Sequence, residues 1–253
     1  MAALALVRVN RVDVADREVR KERRRGVLPV IAVGNAYFRS AGAPFRMFAR
    51  VGPWIAHEQR MFRELHGLAV RRDGRAIVMP RLPGRDLLTI ARAGDDLAEP
   101  LFHLGRALGG LHRRGLSHGD LNLGNAIVDG STARLVDFDA AHVDAVPTAH
   151  RAADDVLGLA LDLFARGGPD PEREFARFVE GLAPERAVTD AFERSSRARG
   201  VLAQTLLRAR GHGMSESELE RAVTSASTGL RRWSIRSPTA STPHEAHPPA
   251  PRS

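Results

Sequence analysis

The chain has no cysteine, which excludes disulfides and thiolate metal sites and fits a reducing compartment such as the cytoplasm. Aromatic residues make up only 5% of its 253 residues, and tyrosine occurs once. A surface that stacks nucleic-acid bases interleaves aromatics with basic stripes, so no specific nucleic-acid partner is expected. No stretch approaches the roughly 18 consecutive apolar residues of a membrane span. The opening MAALALVRVNRVDV has no basic segment before a long apolar run. Its alternation of Leu4, Leu6, Val7 and Val9 with Arg8, Asn10 and Arg11 reads as an edge strand, not as a signal peptide. Lysine is nearly missing too, since Lys21 is the only one among 38 basic side chains.

What is present is arginine. The net charge is +8 and the sequence pI near 11.2, a balance that favours anionic partners: nucleotides, acidic lipids or lipopolysaccharide headgroups. Solvated arginines scattered over helix surfaces give the same balance without a binding role. With 43% hydrophobic residues, the chain is long enough for one sizeable domain or two small lobes with a cleft between them.

Along the chain, residues 1–28 hold the N-terminal strand and a charged run from Arg17 to Arg25, which reads as a solvated helix or arm. Residues 29–80 read as strands around one helix. Val30, Ile31 and Val33 lead into Gly34-Asn35, and Phe45 to Val51 forms a second apolar run. Ile55, Glu58, Met61, Phe62, Leu65 and Leu68 then recur at helical spacing behind Pro53. Ala76 to Met79 is a short strand between Asp73-Gly74 and Pro80. From residue 81 the pattern turns helical: Leu101, Leu104, Leu108 and Leu111 make one stripe that stops at Gly115. Two short strands, 126–128 and 134–136, flank the turn signal Asp129-Gly130. Residues 171–233 look helical, with stops at Pro184 and Gly211, and residues 234–253 have the composition of a disordered tail.

Chemistry concentrates in Leu111 to Ala141, LHRRGLSHGDLNLGNAIVDGSTARLVDFDAA. A helix with an apolar stripe is followed by His118-Gly119-Asp120, then Asn125 five positions after the aspartate. A hairpin and the apolar pair Leu135-Val136 then lead to Asp137-Phe138. Any one of these residues is ordinary near a turn; their joint order is not. The segment resembles the catalytic core of protein kinases and their bacterial relatives. The spellings Asp120-Leu121-Asn122 and Asp137-Phe138-Asp139 look most like bacterial lipopolysaccharide-core kinases of the Kdo type.

The resemblance implies an α+β, two-lobed fold, with a small β-rich lobe over 29–80, a mainly helical lobe over 81–233, and ATP with magnesium between them. It implies that Asp120 accepts the proton of the incoming hydroxyl, with His118 beside it holding the loop backbone. Asn125 and Asp137 are the metal ligands it implies, because a hard cation takes oxygen donors. Gly34, Arg50, Glu58 and Met79 complete the nucleotide-contacting set it implies. Gly34 stands for the glycine-rich loop, Glu58 for the helix glutamate, and Arg50 for the strand lysine that usually pairs with it; Lys21 lies upstream of the turn. Asp155 is the expected brace of the catalytic loop. The implied activity is transfer of the ATP γ-phosphate to a hydroxyl, best a lipopolysaccharide-core sugar on an anionic glycolipid reached at the inner membrane face. A protein acceptor, an aminoglycoside-type small molecule, and a catalytically weak scaffold are the alternatives, and no Ala-Pro-Glu element supports the peptide-binding floor of a eukaryotic-type kinase.

Overall fold

The structure is a computed structural model, and it describes residues 9–197 and 201–236. It is an α+β fold. Strand β1 (Asn10–Val14) and β2 (Glu18–Arg23) form a hairpin, followed by helix α1 (Leu28–Ser40), the short β3 (Phe45–Met47) and helix α2 (Val51–His66). Then come β4 (Arg71–Asp73), β5 (Ala76–Pro80), β6 (Arg85–Asp86), α3 (Leu87–Arg92) and α4 (Ala98–Arg113). After a single 3-10 turn at Leu123–Asn125 follow β7 (Ala126–Asp129), β8 (Thr132–Leu135) and β9 (Ala140–His142). Helices α5 (Thr148–Arg166), α6 (Pro171–Leu182), α7 (Arg186–Ser196), α8 (Val201–Arg210) and α9 (Glu216–Arg236) complete the chain.

The first sheet has the order β1-β2-β5-β4 and is antiparallel throughout, with Val12 opposite Lys21 and Lys21 opposite Ile77. The hairpin at residues 10–23 therefore belongs to this sheet and is not a separate arm, because Lys21 and Arg23 turn inward with period two and are buried. Helix α2 packs on the sheet through Trp54, Ile55 and Phe62 against Val70, Ile77 and Leu82. Each fully buried apolar side chain of this kind contributes about 1.5–3 kcal/mol. The helix ends at Gly67, whose φ of +65° makes the left-handed C-cap.

Two expected strands are not where the sequence placed them. Val30 to Val33 lies in α1: Pro29 occupies the first turn, where its missing N–H costs nothing, and Ile31 and Gly34 are the buried residues at i and i+3. The Phe45–Val51 run divides. Its first three residues pair with β9, and Val51 already begins α2.

A second, larger core fills the space among α3 to α9. Helices α4 and α6 approach closely because glycines face backbone. A Cβ on Gly105 would lie 2.2 Å from the Phe178 carbonyl oxygen, and one on Gly181 would lie 2.0 Å from that of Phe102. Helix α5 runs through the middle, with every residue from Ala152 to Leu163 buried. The hairpin β7–β8 has the turn at Gly130 (φ +54°) that Asp129-Gly130 announces. The expected tail from residue 234 is helical at 234–236, in α9, and otherwise lies outside the described residues. Among the described residues no helix is long and apolar enough to cross a membrane.

Candidate functional site

The two cores meet where β2, α2 and the segment after β8 converge. Lys21 projects from β2 into this junction and is only 4% exposed. Its Nζ lies 2.5 Å from Glu58 Oε1, 2.5 Å from Asp137 Oδ1 and 2.8 Å from Asp139 Oδ1. Burial works against the charge, but Asp137, Glu58 and Asp139 outweigh it and hold the ammonium well above the ordinary lysine value. Asp139 is itself pushed up by burial and by Asp137, with Lys21 opposing. The amide of Asn10, on β1, donates to the second Asp139 oxygen.

The ion pair with Glu58 that was expected of Arg50 is thus made by Lys21. Arg50 is exposed at the N-cap of α2 and forms no ion pair among the described residues. Residue 47–51 sequence suggested a strand there; the helix start removes Arg50 from any strand face. Gly34 is displaced too. It sits inside α1, where its amide belongs to the helix, so it offers no free N–H to a phosphate. The backbone places Met79 in β5 opposite Val19, half-buried against the smaller core.

The loop from Ser117 to Asn125 is held from below by α5. Asp155 accepts from the amides of His118 and Gly119, both at 2.8 Å, and from His112 Nε2 at 3.0 Å. Burial opposes its charge, yet the His112 hydrogen bond and the nearby imidazoles of His142, His112 and His118 hold its carboxyl far below the usual carboxylate range. Two turns further along α5, Asp162 accepts from the amide of Leu123 at 2.8 Å, so two carboxylates grip the loop on either side of Asp120. His118 is fully buried. Its Nε2 lies 3.0 Å from the Val136 carbonyl, and its ring packs on Phe138 with centroids 4.7 Å apart. Burial lowers its pKa, so it works as a neutral brace between the loop and the Asp137 segment.

Asp120 opens onto the cleft with protein around the rest of it. That enclosure raises its carboxyl to about 6, Arg210 opposing and Asp137, Asp139 and Asp154 adding to the rise. Asn125 donates through Nδ2 to the Asp120 carbonyl at 2.9 Å, which leaves its Oδ1 to accept or to ligate. Asp137 adopts φ +67°, left-handed backbone that costs a non-glycine residue roughly 1–2 kcal/mol. Such strain persists only where surrounding structure enforces it, and it gathers at functional sites.

The donor set fits a divalent ion. Oxygens of Glu58, Asp137 and Asp139 all lie within 4.8 Å of one another, and carboxylates are what magnesium takes from protein. All three pair with Lys21; Glu58 is buried, whereas Asp137 is 42% exposed at the side chain and has oxygen to offer an ion, with Asp139 beside it. Lys21 was set aside in the sequence as lying upstream of the turn, and neither Asp162 nor Arg210 was singled out there. The last comes from α8, pairs with Asp154 at 2.7 Å and stacks over Phe45 at 5.2 Å.

In front of Asp120 lies a cavity of about 400 Å³, walled by α1, β3, the loop and α8 through Ile31, Tyr37, Phe38, Phe45, Asn122 and Arg210. Chemically, the junction pairs a buried cation with carboxylates suited to a metal–polyphosphate. The cavity beside it places a carboxylate of raised pKa where a hydroxyl can enter.

No protein-family model matches the chain. No curated protein matches it either. Among solved structures, one of the bifunctional kinase-methyltransferase WbdD is similar at 21% identity and a TM-score of 0.43, covering 81% of this chain and 48% of that one. A second WbdD structure is similar at 18% identity and a TM-score of 0.39, covering 91% and 52%. The chain spans about half the length of these structures.

Proposed function

We propose that the chain is an ATP-dependent phosphotransferase with a kinase-like two-lobed arrangement, the sheet of β1, β2, β4 and β5 with α2 as one lobe and α3 to α9 as the other. The observation that carries this reading is Lys21 clamped between Glu58 and Asp137, with the Asp155-braced Asp120 loop alongside. Phosphoryl transfer asks a protein chiefly for alignment and charge neutralisation. Lys21 would bind phosphate oxygens, its direction set by Glu58. Asp137, Asp139 and Asn125 would hold magnesium, which when bound screens the charge of the phosphates. Met79 would line the wall that meets the base. Asp120 would orient the acceptor hydroxyl and take its proton, while α1 and α8 keep water away.

The cavity before Asp120 supports a compact acceptor. Its size suits a sugar ring, and its aromatic walls with a few polar groups suit a body that is apolar on its faces and polar at its edge. A lipopolysaccharide-core sugar, presented by an anionic glycolipid at the inner membrane face, is the acceptor we favour. Incubating the protein with labelled ATP, magnesium and lipopolysaccharide tests this against aminoglycosides and generic protein acceptors. Asp137→Ala is expected to lose magnesium-dependent ATP binding. Asp120→Asn is expected to keep binding while turnover falls about 10²–10⁴-fold. Unchanged magnesium–ATP affinity in Asp137→Ala, or full turnover in Asp120→Asn, refutes the assignment.

A further inference from the structure

Strand β2 runs out into Arg23-Arg24-Arg25, and the chain turns at Gly26 (φ +78°) directly into α1. The same corner receives Arg75 from the β4–β5 turn, where its carbonyl accepts from the Arg23 amide at 3.4 Å, and Arg50 from the start of α2. These five arginines line one cavity of about 520 Å³, and no acidic residue is in its wall.

Arg23 is already engaged: its guanidinium lies 4.5 Å from the Trp54 ring centroid and 3.8 Å from Asp139. The other four are not. Among the described residues Arg24, Arg25, Arg50 and Arg75 form no ion pair, and the nearby carboxylates Glu22 and Asp73 both pair with Arg20. Two helix N-termini add to the charge. Helices α1 and α2 start at the cavity with no side-chain cap and no acidic residue in the first turn. The first-turn amides of Leu28 and Val51, both in the wall, have no intrahelical acceptor. Each helix end carries roughly half a positive charge. Four unpaired guanidinium groups and two bare helix ends make this corner electropositive, so an anion seated there gains from all of them. Guanidinium forks and helix-terminal amides both match phosphate oxygens.

We infer that this corner is a binding site for a soluble ligand carrying two or more phosphoryl groups, separate from the cleft at Lys21 and Asp137. The cavity is larger than one phosphate requires, and its cations come from three separate chain segments, which is why the ligand is assigned several phosphoryl groups. The site stands independently of the proposed phosphotransferase activity.

The test is calorimetric titration of the full chain with tripolyphosphate in the absence of magnesium. Arg24 and Arg75 are exposed, so the double variant Arg24→Ala/Arg75→Ala keeps its fold. It is expected to bind at least tenfold more weakly than the wild type. Inorganic phosphate should bind the wild type at least tenfold more weakly than tripolyphosphate does, and Arg92→Ala, an exposed arginine that does not line this cavity, should leave tripolyphosphate affinity within twofold. Equal affinity in the double variant and the wild type overturns the site. So does inorganic phosphate binding as tightly as tripolyphosphate, or attachment to phosphatidylglycerol vesicles without tripolyphosphate binding.

Discussion

Replacing Lys21 by methionine removes one ammonium and leaves three carboxylates facing one another. Their responses differ. Glu58 is 2% exposed at the side chain and cannot turn to water, whereas Asp137 is 42% exposed and can rehydrate. Asp139, at 15%, lies between them and keeps the Asn10 amide. Removing one partner of a buried pair costs about 3–5 kcal/mol. Because Asp137 escapes, the loss should fall near the lower figure and come mostly from Glu58. In a chain of this length about 1 kcal/mol moves the melting temperature by roughly 2–4 °C, so Lys21→Met should melt roughly 6–12 °C lower.

Denaturant and thermal melts of a four-member cycle read this out. Lys21→Met/Glu58→Gln removes the stranded charge together with its partner and should recover about 1–3 kcal/mol of the loss, as coupled neighbours do. Arg50→Met is the control: an exposed residue without an ion pair should change stability by no more than about 0.5 kcal/mol. If Lys21→Met and Glu58→Gln are additive, or if Arg50→Met costs as much as Lys21→Met, the assignment of the cleft cation to Lys21 is wrong.

Two further outcomes follow from the loop. In the proposed role Asp120 must be ionised to accept a proton, and burial raises its carboxyl to about 6. The kcat/KM profile of the free enzyme should therefore rise tenfold per pH unit below about 6 and level off above it, and a profile flat from pH 5 to 8 contradicts this role. Asp155→Ala leaves the amides of His118 and Gly119 without their acceptor, at about 1–3 kcal/mol each. Because the folded-state pKa of Asp155 is depressed, its stabilisation is fully present above the usual aspartate value near 4 and is lost as pH falls below it. Wild type and variant melts should consequently converge in acid; a constant gap down to pH 2 refutes the linkage.

The elements that the sequence disclosed are the ones encoded locally. From Leu111 to Phe138 the helix stop, the loop, the hairpin turn and the aspartate follow one another, so the resemblance of this order to a kinase catalytic core singled out Asp120, Asn125 and Asp137. Glu58 was legible because the apolar stripe of α2 carries it on the buried face. Lys21 was hidden because its neighbours Arg20, Glu22 and Arg24 made the segment look solvated. Only pairing with β5 reveals that one face of that strand points inward. Val30 to Val33 misled because β-branched residues favour strands, while Pro29 at the helix start carried the opposite and correct signal. Asp162 grips the loop and Arg210 pairs with Asp154, both from helices whose local pattern says nothing about these contacts.

The scarcity of lysine gives Lys21 its meaning. A chain that spells nearly every cation as arginine keeps one ammonium, buried where three carboxylate oxygens converge within 2.8 Å. A guanidinium is a planar fork that binds carboxylates side by side and cannot be a point charge at the centre of three. On the next inward position of the same strand, Arg23 shows the contrast: there the flat group stacks on Trp54 and stands 3.8 Å from Asp139. Two adjacent inward cations on β2 therefore divide by shape, the compact one meeting the carboxylates of the cleft and the planar one packing behind it. The division follows from the local geometry, because the compact ion reaches three carboxylates at once, whereas the planar group finds a flat partner in Trp54.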